Sequence, residues 1–412
     1  VEEESDEHSY GFRKYRSAHD AILRIRTLLD KSTSPEWVLE ADIEKCFDRI
    51  SHKFLMEHTP ICDKNVLRQW LKSGITENGF LNQSVEGIGT PQGGIMSPTL
   101  SNIALNGFEK FIRNHKSMKN QPKRTKIHLI RYADDFIVTG RSREFLEDTV
   151  REICEEFLEP RGLKLKEAKT SVVSIHTGFK FLGFEIRRYP WNPQKNKRVK
   201  KVTQKSLLII RPGSKEMKVL RTKIRTLIQP QRPMLKIIQD INPLLRGWSE
   251  YYRISFHGQE VFWKISHWLY KTMWSWARKK HSKRKAQWIF ERYIWEKKGT
   301  KWNFGVDSKQ TIFNIGSVSN LKLVPMKEGL NPYELENTAY FEKRKQERIR
   351  AKFRNAIYRK HKHKCPHCGQ SLYGEEPVEL HHVVPERKGG KYTMDNIVPL
   401  HQICHQHYTH QV

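Results

Sequence analysis

Long apolar runs are missing from this chain of 412 residues: mean hydropathy is -0.72, and no stretch approaches the ~20 residues of a membrane-crossing helix. Its basic runs have no amphipathic anchor pattern, so no membrane partner is expected. Cysteine is scarce. Of six, Cys46, Cys62 and Cys154 stand alone in apolar contexts and read as free thiols of a reducing compartment. That makes a disulfide scaffold the weaker reading. Internal repeats and low-complexity tracts are absent. Acidic charge is in deficit, with 45 Asp+Glu against 75 Lys+Arg and a net charge of +30. Such an excess favours a polyanionic partner by long-range electrostatics. The length allows two to four domains, and 37% hydrophobic residues suffice for packed cores.

Against that background, Tyr132-Ala133-Asp134-Asp135 lies between two apolar runs and predicts a β-hairpin with adjacent carboxylates at its turn. Adjacent acids in a turn are commonly only solvated. A third acid changes the reading. Asp42 ends the predicted strand Trp37-Val38-Leu39-Glu40-Ala41 and opens a segment, Ile43 to Ile50, with helical spacing. Hard cations such as Mg²⁺ take oxygen ligands and keep positions open for phosphates. Between the two acidic elements runs Gly89-Thr90-Pro91-Gln92-Gly93-Gly94-Ile95-Met96-Ser97-Pro98, a loop whose glycines allow close backbone approach to a ligand, followed by a helical segment, Leu100 to Phe111. Gly162-Leu163-Lys164-Leu165, Lys169 and Gly178-Phe179-Lys180-Phe181-Leu182-Gly183 follow.

The order of these motifs resembles a reverse transcriptase, and their wording is similar to the group II intron-encoded, or maturase, branch. The resemblance implies an α+β multidomain fold with fingers and palm in right-hand polymerase architecture over residues 1-190. It implies two Mg²⁺ ions held by Asp42 and Asp134, with Asp135 assisting, and dNTP substrates. Phe47 takes the position of the ring that excludes a 2′-hydroxyl; on spacing alone it is equally a core aromatic. Gln92 would line the nucleotide and template pocket, Lys169 would approach the phosphates, and the Gly178 to Gly183 hairpin would grip the primer. Ser9 to Ala21 is similar to a fingers motif in which Arg13 and Arg16 could pair bidentately with nucleotide phosphates. Lys14 and Tyr15 stand where the family often has Pro and Gly. Only Val1 to His8 precede this motif, five of the first seven residues are acidic and no initiator Met is present, so a partial N-terminal region is expected.

From Arg187 to Lys205 eight residues are Lys or Arg and none is acidic, which reads as an exposed basic loop. Helical spacing resumes over Met217 to Ile228 and Leu235 to Leu245. Eight of eleven tryptophans fall between Trp248 and Trp302, interleaved with basic runs such as Arg278 to Lys285. Most are expected in a helix-bundle core, with the basic face beside them as the functional surface. Residues 191-305 look like the thumb, or maturase domain, which binds intron RNA through shape, backbone and stacking contacts. Phe341 to Lys364 has eleven Lys or Arg against two Glu. It is either a solvated helix face or part of a basic DNA-binding region, set at 306-360.

Residues 361-412 form the last expected domain. Cys365-Pro366-His367-Cys368 and His401-Gln402-Ile403-Cys404 supply four ligands for a structural Zn²⁺, the staple so short a segment needs. His407 is an alternative to His401. Between them, Glu379-Leu380-His381-His382-Val383-Val384-Pro385, then Asn396 and later His405, resemble an HNH endonuclease of the ββα-metal type. That resemblance assigns His381 and His405 to a catalytic divalent metal, His382 to the general base and Asn396 to orienting it. A plain zinc ribbon is the bland alternative. Together the resemblances imply intron RNA and target DNA as partners, a reverse transcriptase and DNA endonuclease in one chain, and a bacterial cytoplasmic, nucleoid-associated setting or an organellar one. Oligomeric state stays open. The rival readings are a non-catalytic splicing scaffold and a retron or immune-system reverse transcriptase.

Overall fold

The computed structural model describes residues 1–410 except 74, 78–79, 83–86, 91–93, 119–125, 191–205, 257–258, 298–299, 322, 349–356, 373–377, 386–388 and 391–392. Gln92, most of the basic loop after Arg187, and part of the second basic stretch lie outside the described residues. The chain forms two compact units, Val1–Met326 and Lys327–Val412.

A four-stranded antiparallel sheet organises the first unit, in the order His128–Tyr132, Asp135–Gly140, Trp37–Asp42, Ser171–Ser174. Side chains alternate across a strand, and here both faces are covered. Val38, Ile130 and Ile137 join Ile22 and Ile25 of the helix Ala18–Leu29. Leu39, Ala41, Leu129, Phe136 and Val138 instead meet the helices Ser97–Leu105, Phe108–Asn114 and Arg151–Leu158. The segment expected as one helix from Leu100 to Phe111 is two, because Gly107 takes φ 82°, a left-handed conformation that breaks the first and starts the second. After Asp42 only Cys46–Arg49 is helical, less than the spacing of Ile43 to Ile50 predicts.

A three-stranded meander follows, Phe179–Phe181, Phe184–Pro190 and Ser206–Pro212. Its first turn has Leu182 and Gly183 both left-handed, at φ 50° and 77°, the backbone a tight two-residue hairpin requires. The turn rests on the helix Met234–Tyr252: the Tyr251 hydroxyl donates to the Leu182 carbonyl at 2.9 Å, and a Cβ on Gly183 would come within 2.7 Å of the Tyr252 hydroxyl. Helices Ser214–Leu227, Gln259–Lys280 and Ala286–Tyr293 complete a bundle, and residues 311–321 close its side through buried Ile312, Ile315 and Leu321.

The tryptophans of this bundle correct one expectation. Among the described side chains only Trp276 is buried, while Trp248, Trp268, Trp274 and Trp288 pack half-buried around a core of Ile, Leu, Met and Phe. Indole is large and has a polar edge, so it suits a rim better than an enclosed core. Cations cover several of these rings: Arg221 and Arg225 lie 5.5 and 5.6 Å from Trp268, and Arg284 lies 5.2 Å from Trp288.

The second unit contains the helix Thr338–Arg348 and a ββα module made of Val378–His382, Ile397–His401 and Gln402–His410. Among the described residues its buried apolar cluster is Tyr358, Cys365, Leu372 and Leu400, and Phe341, Ile357 and Ile397 are buried as well.

One apolar cluster runs from the sheet into the bundle, and fully buried Phe184 joins them, 5.5 and 4.9 Å from the rings of Tyr251 and Tyr252. Phe184→Ala should therefore cost about 3–5 kcal/mol and shift sheet and bundle together to a lower urea midpoint. Tryptophan fluorescence and far-ultraviolet dichroism, followed in one titration, check this; an unchanged midpoint would show that the contact couples nothing.

Candidate functional site

Strand register creates the acidic site. Asp42 is the cross-strand partner of Asp135, and Tyr132 pairs with Asp135 from the other side. Ala133 and Asp134 form the turn between them, with Ala133 left-handed at φ 56°. Such a backbone is unfavourable for alanine, and three other residues brace it. Fully buried Arg131 donates through Nη1 to the Ala133 carbonyl at 3.1 Å and to Asn102 Oδ1 at 3.2 Å, and Asn102 Nδ2 donates to the Gly11 carbonyl at 2.9 Å. Gly11 itself touches the turn, since a Cβ there would come within 3.0 Å of the Ala133 Cα. The backbone of Arg131 also pairs with His8 and Tyr10, each at 2.9 Å, which lays the N-terminal segment along the strand. The motifs point to none of these braces. A cation directly after the apolar pair Leu129-Ile130 and one residue before the turn motif is the signal the sequence offers.

Electrostatics at the turn are unbalanced. Lys169 Nζ pairs with Asp42 Oδ2 at 2.5 Å, and the Lys166 amide donates to the Asp42 carbonyl at 2.8 Å. One ammonium faces three carboxylates. Burial, then the charges of Asp42 and Asp134, push Asp135 up to about 6; burial and Asp42 also raise Asp134. The hydrogen bond to Asp42 raises Lys169. Oxygen donors that repel one another and resist ionisation fit a site for divalent cations, which would offset the excess negative charge. These three carboxylates are not among the described groups whose ligand atoms all lie within 4.8 Å of one another; the C-terminal Cys and His residues are.

Other expected residues fall differently. Phe47 is half-buried, its ring edge-on to Phe12 at 6.2 Å, and its carbonyl accepts the Thr90 amide at 2.6 Å. It therefore sits beside the start of the glycine-rich loop. Phe12, which is 55% exposed and lies in the Ser9 to Ala21 motif without an expected role, joins it there. Arg13 and Arg16, expected to reach nucleotide phosphates, bind the acidic N-terminal segment. Arg13 forks onto Glu2 at 2.5 and 2.9 Å and onto the carbonyls of Asp6 and Ser9; Arg16 meets the Glu7 carbonyl at 2.6 Å and Glu2 at 3.5 Å. Lys169 is engaged by Asp42 rather than held apart for a phosphate.

In the second unit, Cys365, Cys368, His401 and Cys404 have ligand atoms within 4.8 Å of one another, a candidate zinc site. The His401 Nε2 hydrogen points to the Ser371 carbonyl at 3.0 Å, which leaves Nδ1 directed at the sulfurs of Cys368 and Cys404, 3.3 and 3.9 Å away. His401 rather than His407 completes the tetrad. Burial opposes ionisation of Cys365, but the backbone amides of Cys368, His401 and His367 outweigh it and bring the thiol to about 7; burial and the neighbouring sulfurs push Cys404 up to about 12. Crowded sulfurs of which one resists ionisation suit a tetrahedral Zn²⁺.

The paired strands put His381 opposite Val398 and His382 opposite Ile397. His405 Nε2 faces His381 Nδ1 at 2.9 Å, and His405 Nδ1 meets Glu379 Oε2 at 2.5 Å. A carboxylate behind one imidazole, with two ring nitrogens facing each other, is the donor arrangement of a divalent-metal site. Sequence reasoning gives Glu379 no role, although a signal is there. It lies two residues before His381, so the period of the strand puts both on one face. Burial, then His405 and His382, lower His381, which keeps its nitrogen available. Asn396 Oδ1 accepts the Val384 amide at 2.7 Å and its Nδ2 donates to the Val384 carbonyl at 3.0 Å. It thus clamps the backbone just after His382.

Asp135 allows a test of metal binding without catalysis. Its ordinary value is 3.8 and its folded value about 6, so ionisation disfavours the folded state fully above about pH 6 and not at all below about pH 4. Asp135→Asn should raise the melting temperature in metal-free buffer at pH 7–8, and the gain should disappear as pH falls through that window. Mg²⁺ should stabilise the parent more than the variant. Scanning fluorimetry reads both effects, and equal Mg²⁺ responses would remove Asp135 from the metal site.

Comparison with known proteins agrees with the order of the sites. Residues 2–186 match the reverse transcriptase (RNA-dependent DNA polymerase) family, residues 217–294 the group II intron maturase-specific domain, and residues 365–411 the HNH endonuclease family. Protein YkfC of Escherichia coli K12 is 32% identical over 45% of this chain and 57% of its own length. The group II intron-encoded protein LtrA of Lactococcus lactis is 27% identical over 53% of this chain and 45% of its own. A putative COX1/OXI3 intron 1 protein of Saccharomyces cerevisiae is 26% identical over 44% of this chain and 27% of its own. The chain thus spans about half the length of the first two relatives. With an acidic hairpin in the first region, a helical segment in the second and a Cys/His-clustered ββα module in the third, the chain carries in order a reverse transcriptase domain, a group II intron maturase-specific domain and an HNH endonuclease domain, and is similar to group II intron-encoded proteins.

Proposed function

We propose that this protein is an RNA-directed DNA polymerase that also binds its intron RNA to promote splicing. As a ribonucleoprotein it nicks one DNA strand with the HNH module and copies the intron from the new 3′-end. The observation that carries the polymerase reading is the register that sets Asp42 against Asp135, with Asp134 at the adjoining turn. In this reading Asp42 and Asp134 hold two Mg²⁺ ions, and Asp135 assists from the same hairpin. When bound, the ions supply charge stabilisation at the phosphoryl oxygens. The primer 3′-hydroxyl oxygen bonds to the α-phosphorus of the dNTP, and pyrophosphate leaves. Phe47, beside Thr90, excludes a 2′-hydroxyl by its bulk, and Gln92 lines the nucleotide and template pocket. Lys169, paired with Asp42 here, would approach the phosphates where the carboxylates hold cations instead. Arg13 and Arg16 can serve the nucleotide only after Glu2 releases them.

The helical region, with its cation-covered tryptophans, binds intron RNA; the basic stretch before the last module contacts DNA. In the HNH module His381 and His405 hold a divalent ion, Glu379 orients His405, His382 removes the proton from the attacking water, and Asn396 fixes the loop that follows it. Cys365, Cys368, His401 and Cys404 hold the structural Zn²⁺. No helix among the described residues is long and apolar enough to cross a membrane. The setting we infer is with nucleic acid in a bacterial cytoplasm, with an organelle as the alternative, because the chain is similar to proteins of both kinds of genome.

Asp134→Ala should abolish primer extension on an RNA template, by a factor of at least about 10³ if it removes a metal, and leave RNA affinity within about two-fold. Filter binding and extension assays on one preparation check both. RNA binding by a parent protein that synthesises no DNA would favour the splicing scaffold instead.

His382→Ala should stop nicking of target DNA yet leave splicing and extension of a supplied primer intact. Cys365→Ser should do wider local damage, because a small module that loses a zinc ligand unfolds. Nicking assays with amide exchange of residues 360–410 separate the two outcomes. Parent-level nicking by the His382 variant would reduce this module to a zinc-bound DNA-docking ribbon.

A further inference from the structure

A cavity of about 700 Å³ opens on the side of the helical bundle, between one face of Gln259–Lys280 and the segment 303–317. It belongs to none of the sites described above. Its walls are aromatic. Trp263, 67% exposed, stands at its edge, and Tyr270, Phe304 and Phe313 line it, with the Tyr270 and Phe304 rings 5.2 Å apart. Its polar side chains are Ser266, His267, Asn303, Asn314 and Ser317. Asn314 Oδ1 accepts the Gly316 amide at 3.1 Å and the Ser266 hydroxyl at 3.3 Å, which fixes the amide plane, and its Nδ2 donates to no described residue. The cavity is therefore a largely apolar slot with a pair of N–H donors on an amide held in one orientation.

Charge around the slot selects the occupant. Arg246 lies over the Phe313 ring, 4.6 Å from its centre, with an exposed guanidinium. The helix that forms one wall has five Lys or Arg against one Glu, and its exposed Lys271, with Lys264 paired to Glu260 at 2.6 Å, stands beside the slot-lining positions. A partner protein's apolar side chain would gain from the walls but not from this cationic rim. A nucleobase gains from both: its faces stack on aromatic rings, its edge carbonyls and ring nitrogens accept N–H groups, and its phosphates meet the cations.

We propose that this slot takes one unstacked base of a single-stranded RNA segment, with Asn314 Nδ2 donating to an acceptor on the base edge. The proposal rests on the reading that the helical region binds RNA and adds where, and by what chemistry, it grips a loop. A site of this kind makes part of the affinity depend on a base rather than on phosphate charge alone.

The test uses the full chain and a 12-nucleotide oligouridylate, intact or with one central abasic position. Trp263→Ala and Asn314→Leu should each weaken binding of the intact oligomer about five- to ten-fold, the range of one base–aromatic contact, and leave binding of the abasic oligomer within about two-fold. Trp263 is exposed, so its removal leaves the core in place; Asn314→Asp, isosteric and lacking the donors, serves if the leucine variant melts early. With 4-thiouridine at the central position, crosslinks should map to residues 259–280 or 312–317. Equal binding by parent and variants, equal losses on both oligomers, or crosslinks elsewhere would overturn the proposal. Charge reversal at Lys279, Lys280 and Lys283 separates it from the broader reading: if the parent binds no RNA and those changes do nothing, the RNA-binding assignment itself fails, whereas a salt- and charge-sensitive complex indifferent to Trp263 and Asn314 rejects only the slot. Uridine monophosphate competing as well as the oligomer would make the slot a free-nucleotide site and also reject it.

Discussion

Everything in the first unit depends on the pairing of Trp37–Asp42 with Asp135–Gly140. Side chains repeat every second residue in a strand, so a slip of one position would turn Asp42 away from Asp135 and expose the core-facing residues of that strand. The register is held because both faces of these strands are buried: Leu39 and Ala41 pair across to Val138 and Phe136 on one face, while Val38 and Ile137 point to the other. The alternation that builds the core also brings the carboxylates together. Asp134 is the exception. It belongs to the turn, so its position comes from the left-handed Ala133 and from the Arg131, Asn102 and Gly11 contacts that hold it.

The two candidate sites solve the same problem, clustering repelling ligands, with different reserves. In the first unit a large core supports three carboxylates and one lysine, and a buried arginine stiffens the hairpin. Burial pushes the Arg131 guanidinium down to about 10, still charged at neutral pH, so its hydrogen bonds to Asn102 and Ala133 are made in a medium where they are strong and costly to lose. The ββα module has a far smaller core. Its described buried cluster of Tyr358, Cys365, Leu372 and Leu400, with buried Ile357 and Ile397 beside it, covers little area for some fifty residues, so the Cys and His tetrad would supply much of its stability once metal is bound. A defect in the palm should stay local, whereas a defect in the tetrad spreads through its module.

Short-range patterns are legible in the amino-acid order itself. The acidic hairpin needs only two apolar strands and a two-residue turn; the Cys and His pairs need only their spacing; the ββα order follows from alternating residues ahead of Gln402. What escapes the sequence is long-range or rotational. Gly11, Asn102 and Arg131 converge from positions 91 and 29 residues apart, and no local rule connects them. Arg13 and Arg16 carry a motif that suits phosphate, yet which acceptor holds a guanidinium depends on where the Glu2 segment folds back. His401 and His407 both lie near Cys404 in sequence, and only the direction of the His401 ring, set by the Ser371 carbonyl, separates them. The tryptophans lie shallower than their spacing suggests, because a 3.6-residue period tells which face of a helix is covered, not how deeply a large ring is buried.

That half-burial has a physical consequence. A tryptophan sunk in a core offers only stability, while one at the rim keeps a face for a cation or a base. Trp268 and Trp288 already hold arginines against their faces. Each such arginine loses less conformational freedom when it meets a phosphate, since the ring has already fixed its plane. Binding through these groups should fall steeply with salt, because phosphate contacts release counterions. Stacking does not depend on ionic strength in that way. A surface that combines both can keep base-dependent selectivity at salt concentrations where its phosphate contacts have weakened, a property that neither a purely basic helix nor a purely aromatic slot would have.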